Sequence, residues 1–277
     1  MAGADVLERI ITVGGVRTPL LEAGPAGADR AAVFVHGYPG SGRDWADLLP
    51  RAGLHTRALA WDAPGFGRAD KPRGFPHTLA GHAEFIGRAL DELGVRRVQL
   101  VMHDFGGPWA LTWAARHVDR VASVVAIDTG AVLADRPHSL ARTLRRRGVG
   151  EAVQVLTRPR VLSTALKRSG LPGPYADRMA GDFDWGTKRA VLSLYRTLRP
   201  EQLRPAITAL RGADPPALII WGARDPYLPV ELAERQKEAL PSAEIVVLPG
   251  SGHWPMGDDP ELLAGLVVPF LAAHAAR

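Results

Sequence analysis

An aspartate stands at the sharpest strand-to-helix turn that this sequence offers. The apolar run 98–102 leads through one histidine into Asp104, and two glycines, Gly106 and Gly107, lie ahead of a predicted helix over 108–116. A turn of this kind needs small residues on its helix side and holds one side chain at the helix N-terminus. Because no Gly-x-Ser-x-Gly occurs in the chain, that side chain is a carboxylate and not a serine hydroxyl.

A carboxylate at this turn predicts displacement chemistry. Asp104 is ionised at neutral pH and needs no base to activate it, but its attack on an ester carbonyl would yield an anhydride. Its natural electrophile is therefore a saturated carbon, as in an epoxide or a carbon–halogen bond. Displacement leaves an alkyl ester on Asp104, and a base-activated water must then hydrolyse that ester.

Two later loops hold candidates for the base and for the acid that orients it. His253 lies on a glycine-rich turn after the last predicted strand. In chains with a strand-to-helix turn like that at Asp104, the base comes last along the sequence, in such a loop. A surface-loop histidine is the alternative interpretation. Asp225 follows the preceding strand and is the predicted acid. Asp128, just past an earlier strand, is a rival for this role, and its alternative interpretation is a turn or cap aspartate.

The segment His36-Gly37-Tyr38-Pro39 follows the first predicted parallel strand. A glycine-proline turn in this position can direct a backbone N–H into the site, and a plain turn is the alternative. The backbone N–H groups of Tyr38 and Phe105 are the predicted oxyanion donors. During hydrolysis of the ester, charge grows on a carboxyl oxygen of Asp104, which two fixed amides stabilise better than water does.

Motifs for other chemistry are weak or missing. The Gly-x-Gly at 65–67 has no third glycine and no ribose-binding acid at the right spacing, so it is not a dinucleotide site. The chain has no cysteine, which excludes disulfides and thiol chemistry. We therefore expect neither a cofactor nor a bound metal.

Short apolar runs alternate with helical patterns along the chain, which is typical of a parallel sheet with crossover helices. Apolar residues at spacings of three and four predict a helix from Leu79 to Leu93, ended by Gly94. The fold class is therefore α/β, with a mostly parallel doubly wound sheet. Five strands are predicted as buried: 31–35, 98–102, 121–127, 217–221 and 245–248.

The alternation breaks between residues 131 and 212, where helical, arginine-rich segments are interrupted by glycines and prolines near 170–174. We interpret 131–212 as a helical cap and residues 1–130 and 213–277 as one core domain. An insertion at this point would lie over the carboxyl ends of the strands, where such sheets bind ligands.

Composition is that of a globular protein. Of the 277 residues 46% are hydrophobic and 23% are charged, and no apolar run is long enough to span a bilayer. The net charge of +5 is spread among interleaved acids, so we expect no nucleic-acid or membrane partner. The dense run of Arg142 and 145–147 is interpreted as an exposed helix face. Since residues 1–8 lack the features of a signal peptide, we expect a cytoplasmic protein. We also expect a monomer or homodimer that acts on a small apolar substrate.

Across nearly its whole length the chain resembles the α/β-hydrolase superfamily, and within it the epoxide hydrolases and haloalkane dehalogenases that use an aspartate nucleophile. The stretch 103–107 is similar to the His-Asp-Trp-Gly-Gly of epoxide hydrolases, and 36–39 to their His-Gly-x-Pro turn, which often carries a cis-proline. Arg224-Asp225 and Gly252-His253 resemble the acid and base loops. The resemblance implies an α/β-hydrolase fold with an inserted helical cap.

The resemblance also assigns a proton donor. Epoxide hydrolases keep a cap tyrosine that protonates the opening epoxide oxygen, and Tyr195 matches its position about thirty residues before the acid; a packing tyrosine is the alternative. Three departures stand out. Met102 replaces a glycine, Phe105 replaces a tryptophan, and no tyrosine in the first half of the cap pairs with Tyr195. Tyr175 is only a weak candidate for that second donor.

These departures weigh more heavily against a haloalkane dehalogenase. Dehalogenases of this branch hold the halide with the tryptophan after the nucleophile and with a second donor in the oxyanion turn, and the chain has Phe105 and Tyr38 there. The expected function is epoxide hydrolysis to a vicinal diol. A dehalogenase or other displacement hydrolase with the same three residues is the first alternative, and a non-catalytic ligand-binding protein of the same fold is the second.

Overall fold

The computed structural model describes residues 3–134 and 137–275 of the chain. Within them, one sheet of eight strands forms the centre of the molecule, in the spatial order β1-β2-β4-β3-β5-β6-β7-β8. β1 and β2 pair antiparallel, β2 pairs antiparallel with β4, and all other neighbours are parallel. The strands are β1 Val6–Val13, β2 Val16–Ala23, β3 Arg30–Val35, β4 Arg57–Trp61, β5 Arg97–His103, β6 Val121–Ile127, β7 Ala217–Gly222 and β8 Glu244–Leu248.

All five predicted strands are confirmed, each to within one residue at either end. The prediction of burial is wrong for β8, because it is an edge strand whose residues before Leu248 are exposed or half-buried. β1, β2 and β4 are additional. The first of them has a largely exposed surface, so it lacks the continuous apolar run by which buried parallel strands are recognised. The glycine pair Gly14-Gly15 joins β1 to β2 with positive φ at both residues, which is the conformation that tight hairpins require.

Twelve α-helices lie in the described part of the chain, and the predicted helices 79–93 and 108–116 are observed at Leu79–Glu92 and Gly106–Ala114. Thr78 caps the first of these by accepting a hydrogen bond from the N–H of Gly81. The helices are α1 Leu49–Ala52, α2 Leu79–Glu92, α3 Gly106–Ala114, α4 Ser139–Arg145, α5 Val149–Leu156, α6 Pro159–Arg168, α7 Gly173–Gly181, α8 Trp185–Thr197, α9 Arg204–Ala213, α10 Glu231–Arg235, α11 Pro255–Asp258 and α12 Pro260–His274.

The sheet separates two hydrophobic cores. On β5, Leu100 and Met102 point into one core and Val101 into the other, as the two-residue period of a strand requires. All three side chains are fully buried, and burial of each such side chain contributes about 1.5–3 kcal/mol. Met102 therefore packs into the core and does not line the cavity beside Asp104.

Five helices, α4 to α8, and no strand occupy the described residues between 137 and 199. Charged contacts hold this inserted segment to the loop after β3. Arg178 on α7 donates to Asp44 at 2.7 Å and to the hydroxyl of Ser41 at 2.9 Å, and Arg43 pairs with Asp182 at 2.6 Å. Burial raises the pKa of Asp44, and the charge of Arg178 opposes that rise. No helix in the described part of the chain is long and apolar enough to cross a membrane.

Candidate active site

Asp104 lies at the turn between β5 and α3 in a left-handed conformation, with φ of 48°. Left-handed backbone is uncommon outside glycine and best tolerated by Asp and Asn. The neighbouring residues must be small: a Cβ added at Gly106 would collide with the backbone carbonyl of Val35, and one added at Gly107 would collide with the side chain of Thr129. The sequence therefore folds into the tight turn that presents the Asp104 carboxylate at the carboxyl edge of the sheet.

The structure brings the three predicted residues of the triad together. His253 Nε2 lies 3.5 Å from Asp104 Oδ2, and His253 Nδ1 lies 2.6 Å from Asp225 Oδ2. The Asp225 side chain is fully buried, and its other oxygen accepts hydrogen bonds from the N–H groups of Tyr227 and Leu228. The imidazole is thus fixed between two carboxylates, with one of its nitrogens directed at each.

The charges of these three groups stabilise one another. Burial alone would raise the pKa of Asp104, but the hydrogen bond and the charge of His253 bring it below its usual value. Burial likewise opposes ionisation of Asp225, whose pKa the charge of His253 lowers. Burial would lower the pKa of His253, but Asp225 and then Asp104 raise it well above the ordinary histidine value. Asp104 is therefore ionised at neutral pH, as the predicted role of nucleophile requires.

The Tyr38 backbone N–H donates to Asp104 Oδ1 at 2.7 Å. His36 fixes the direction of this N–H. Its ring Nε2 accepts from the N–H of Ala63 at 2.8 Å, so Nδ1 carries the proton and donates to the carbonyl of Gly37 at 2.8 Å. Because the carbonyl and the N–H of one trans peptide point in opposite directions, the bond from His36 turns the Tyr38 N–H toward Asp104. The following Tyr38–Pro39 peptide is cis.

His103, next to Asp104, contributes a contact that the sequence did not reveal. Its Nε2 donates to the backbone carbonyl of His253 at 2.7 Å, and burial lowers the pKa of His103 to about 4. The ring is therefore neutral at pH 7. Its bond holds the loop that carries His253 to the strand that leads into Asp104, and so helps to fix the distance between these two residues.

The rival acid Asp128 also lies at the site but holds a different position. Its Oδ1 accepts from the N–H of Gly222 at 2.8 Å, and no hydrogen bond to His253 is formed. Burial raises the pKa of Asp128 well above its usual value, and the nearby charge of Asp225 adds to the rise. Polar atoms of Asp128, Asp225 and His253 lie within 4.8 Å of one another. A metal ion there would have to replace the 2.6 Å bond between His253 and Asp225.

Exchange of each acid for its amide separates their roles. Asp225→Asn removes the negative charge that stabilises the His253 imidazolium, whereas Asp128→Asn replaces a group that burial already favours in its neutral form. We expect Asp225→Asn to lower kcat/KM at least about tenfold more than Asp128→Asn does. Steady-state kinetics of both variants measure the difference, and equal losses would mean that the two acids share the role.

A cavity of about 130 Å³ opens beside Asp104 and is lined mainly by apolar side chains. Tyr195 lines it from α8, and its ring contacts Phe105 edge-on at 5.2 Å. Burial raises the pKa of Tyr195 well above its usual value, so the phenol keeps its proton. Phe105 lies between Asp104 and the first residue of α3 and lines the same cavity. Asp104, Phe105 and Tyr195 thus share one cavity, and the role of the Phe105 N–H as an oxyanion donor stays a prediction.

Tyr175 is not brought to the cavity. Its hydroxyl donates to Asp47 at 3.0 Å and lies 3.3 Å from the carbonyl of Met256. Burial, followed by the nearby Asp47 charge, raises the pKa of Tyr175 to about 12. The suggestion that Tyr175 serves as the second proton donor is therefore wrong for this arrangement, because its hydroxyl already has partners elsewhere.

Three further residues of the cavity wall were missed from the sequence. Tyr227 packs against the His253 ring at 5.2 Å, and its hydroxyl is 3.1 Å from that of Ser169. His138 packs edge-on to Tyr195 at 5.8 Å, and its Nδ1 accepts from the N–H of Ala141, so that the neutral ring carries its proton on Nε2.

Arg145 is the third residue of the cavity wall that was missed. The interpretation of its arginine run as an exposed helix face is wrong for this one member, which is half-buried in the cavity wall.

Comparison with known proteins shows the family of this chain and similar folds among solved structures. Residues 32–266 match the model of the family described as the alpha/beta hydrolase family. Haloalkane dehalogenase 2 of Mycobacterium tuberculosis is 26% identical over 260 residues, covering 85% of this chain and 86% of the relative. The solved structure of the epoxide hydrolase CorEH has a TM-score of 0.81 at 18% identity, covering 97% of this chain and 99% of that one. The haloalkane dehalogenase DatA of Agrobacterium tumefaciens C58 has a TM-score of 0.80 at 24% identity, covering 99% and 98%.

Proposed function

The chain belongs to the alpha/beta hydrolase family, and we propose that within it this protein is an epoxide hydrolase with Asp104 as its nucleophile. In the first half-reaction an oxygen of Asp104 attacks one epoxide carbon. The carbon–oxygen bond of the ring breaks, its electron pair passes to the ring oxygen, and the phenol of Tyr195 supplies the proton. The product is a hydroxyalkyl ester of Asp104.

In the second half-reaction His253 removes a proton from water, and the water oxygen attacks the carboxyl carbon of Asp104. The charge that develops on the carboxyl oxygen is stabilised by the N–H of Tyr38, which already donates to Oδ1, and by the N–H of Phe105. The ester bond then breaks, the leaving alkoxide takes the proton from His253, and a vicinal diol is released. Asp225 stabilises the imidazolium between these two transfers. The carboxylic acid left on Asp104 loses its proton to solvent and the Tyr195 phenolate takes one up, which restores both groups.

The observation that carries the proposal is the presence of Tyr195 in the wall of the same cavity as Asp104. An epoxide oxygen becomes an alkoxide as the ring opens, so it needs a proton donor. The Tyr195 hydroxyl makes no hydrogen bond to any other described residue, and its raised pKa keeps the proton in place. It is therefore available to a substrate.

A dehalogenase with the same triad is the second candidate, favoured by the likeness to haloalkane dehalogenase 2. A departing halide needs hydrogen-bond donors but no proton. Phe105, directly after the nucleophile, has no polar atom in its side chain to offer, and this weakens the second candidate. A panel of epoxides and haloalkanes, read out by diol and halide release, distinguishes the two functions.

Tyr195→Phe removes only the phenolic oxygen and is expected to slow epoxide opening about a hundredfold or more, the usual size of a general-acid contribution. The loss should lie in the alkylation step and leave substrate binding largely intact. Single-turnover quenching of tryptophan fluorescence measures this step separately from hydrolysis of the ester.

Tyr175→Phe is the matched control, since it makes the same change at a hydroxyl outside the cavity, and it should keep the wild-type rate of opening. An unchanged rate in Tyr195→Phe would leave Tyr195 as a packing residue and direct attention to His138. If the wild type releases halide but opens no epoxide, and Tyr195→Phe leaves halide release unaffected, the dehalogenase replaces the epoxide hydrolase.

A further inference from the structure

Arg145 brings a positive charge to the wall of the active-site cavity. It is the last residue of α4 and is half-buried, whereas Arg142, Arg146 and Arg147 around it are exposed. Among the residues that line the cavity, it is the one permanently cationic side chain. The nucleophile Asp104 lines the same cavity, so a bound molecule can contact both.

The charge of Arg145 has no carboxylate partner among the described residues. Nε donates to the carbonyl of Tyr195 at 2.8 Å and Nη2 to the carbonyl of Leu198 at 3.0 Å. A guanidinium has five N–H groups, so three remain after these two bonds. Burial lowers the pKa of Arg145, and the nearby cation Arg199 lowers it further. The half-buried guanidinium therefore has N–H groups and a charge to offer to an anion that enters the cavity.

The rest of the cavity wall determines the size and character of what fits. Its other residues are mainly apolar, and the volume of about 130 Å³ is close to the roughly 150 Å³ of a protein cavity that accepts benzene. The sequence predicts a small apolar substrate. One cation in such a wall modifies this prediction, because a small molecule with an acid group at one end would satisfy both surfaces.

We propose that Arg145 binds a carboxylate of the substrate, so that the preferred substrate is a small epoxide with an acid group a few carbons from the ring. This inference rests on the epoxide hydrolase proposed above. The planar guanidinium matches the two oxygens of a carboxylate. With that end bound, the reactive carbon is held in the same cavity that Asp104 lines.

The competing explanation is purely structural. The carbonyls of Tyr195 and Leu198 belong to the C-terminal end of α8, where a cation stabilises exposed carbonyl groups. Arg145 therefore also caps this helix, and any substitution there disturbs the helix that carries Tyr195. A valid test must separate loss of the cap from loss of the anion site. It does so with a pair of substrates that differ only in charge.

The test compares a terminal epoxypentanoate with its primary amide in the wild type, in Arg145→Gln and in Arg145→Lys. The wild type should prefer the carboxylate in kcat/KM, and Arg145→Gln should raise KM for the carboxylate about tenfold or more relative to the amide, the effect expected for a lost hydrogen bond to a charged group. Arg145→Lys keeps the charge and should restore part of the preference. Arg142→Gln, one turn earlier and exposed, should behave as the wild type.

Binding of unreactive pentanoate and pentanamide, followed by tryptophan fluorescence, keeps the test independent of turnover. Selective loss of pentanoate binding in Arg145→Gln supports the anion site even if epoxides prove not to be the substrates. Equal losses for both molecules, or no preference in the wild type, would show that Arg145 is only a helix cap and would overturn this proposal. If this proposal is overturned but the epoxy amide is still converted to a diol, the proposed epoxide hydrolase function is retained.

Discussion

Asp104→Asn is expected to lower turnover of every substrate by roughly four orders of magnitude or more, because a neutral amide does not displace at carbon. The fold should survive the change. Asn tolerates left-handed backbone as Asp does, and it has nearly the shape of the residue that it replaces. Initial rates of freshly purified protein measure the loss, since slow deamidation to aspartate would restore activity with time.

Asp214→Asn is the matched control for this variant. Asp214 also has a positive φ, at the end of α9, and its side chain bonds Ser242 far from the cavity. It should therefore keep wild-type activity. A single turnover of the wild type in water labelled with heavy oxygen adds a second test. If Asp104 is the nucleophile, the first diol formed carries an oxygen of Asp104 and not of the solvent. Labelled product in that first turnover would make Asp104 a base instead.

His253→Gln is expected to separate the two half-reactions and to lower steady-state turnover by about 10²–10⁴-fold, the range of a lost general base. Alkylation of Asp104 does not require the base, whereas hydrolysis of the ester does. The covalent ester should therefore accumulate. Intact-protein mass spectrometry after mixing with substrate measures the added mass, and peptide mapping locates it on the segment that contains Asp104.

Two further variants control for this result. Adding Asp104→Asn to His253→Gln should abolish the adduct, and His55→Gln, at an exposed histidine, should turn over normally without accumulating an ester. If His253→Gln binds substrate measurably but forms no adduct, the scheme of an alkyl-enzyme intermediate is contradicted. The same absence would also count against the dehalogenase, which shares that intermediate.

Local pattern was enough to predict the strands that carry the site. The buried parallel strands are continuous apolar runs, so β5 and the turn at Asp104 could be read directly from the sequence. Parallel strands end at one edge of a sheet, and loops that follow them meet there. Because Asp225 follows β7 and His253 follows β8, this rule predicts that both residues lie near Asp104, and no distance is needed for that prediction.

Contacts between distant parts of the chain could not be predicted in this way. His138 and Arg145 come from the inserted segment, and their position in the cavity wall depends on how α4 packs against α8. In sequence Arg145 is indistinguishable from its neighbour Arg146, which is exposed. The sequence also could not decide between Asp128 and Asp225, because both follow buried strands. Only the structure shows that Asp225 is the one that bonds His253, at 2.6 Å.

The contact between Asp104 and His253 also determines the order of events. In the resting protein the charge of Asp104 is among the causes that hold the His253 pKa well above normal, so the imidazole carries a proton and is no base. In the proposed mechanism, formation of the ester neutralises Asp104, and that cause disappears. The pKa of His253 then falls, while Asp225, the largest of the causes that raise it, remains. The free charge of Asp104 therefore favours the protonated form of His253, which does not activate water. Formation of the ester removes this effect at the step where a base is needed.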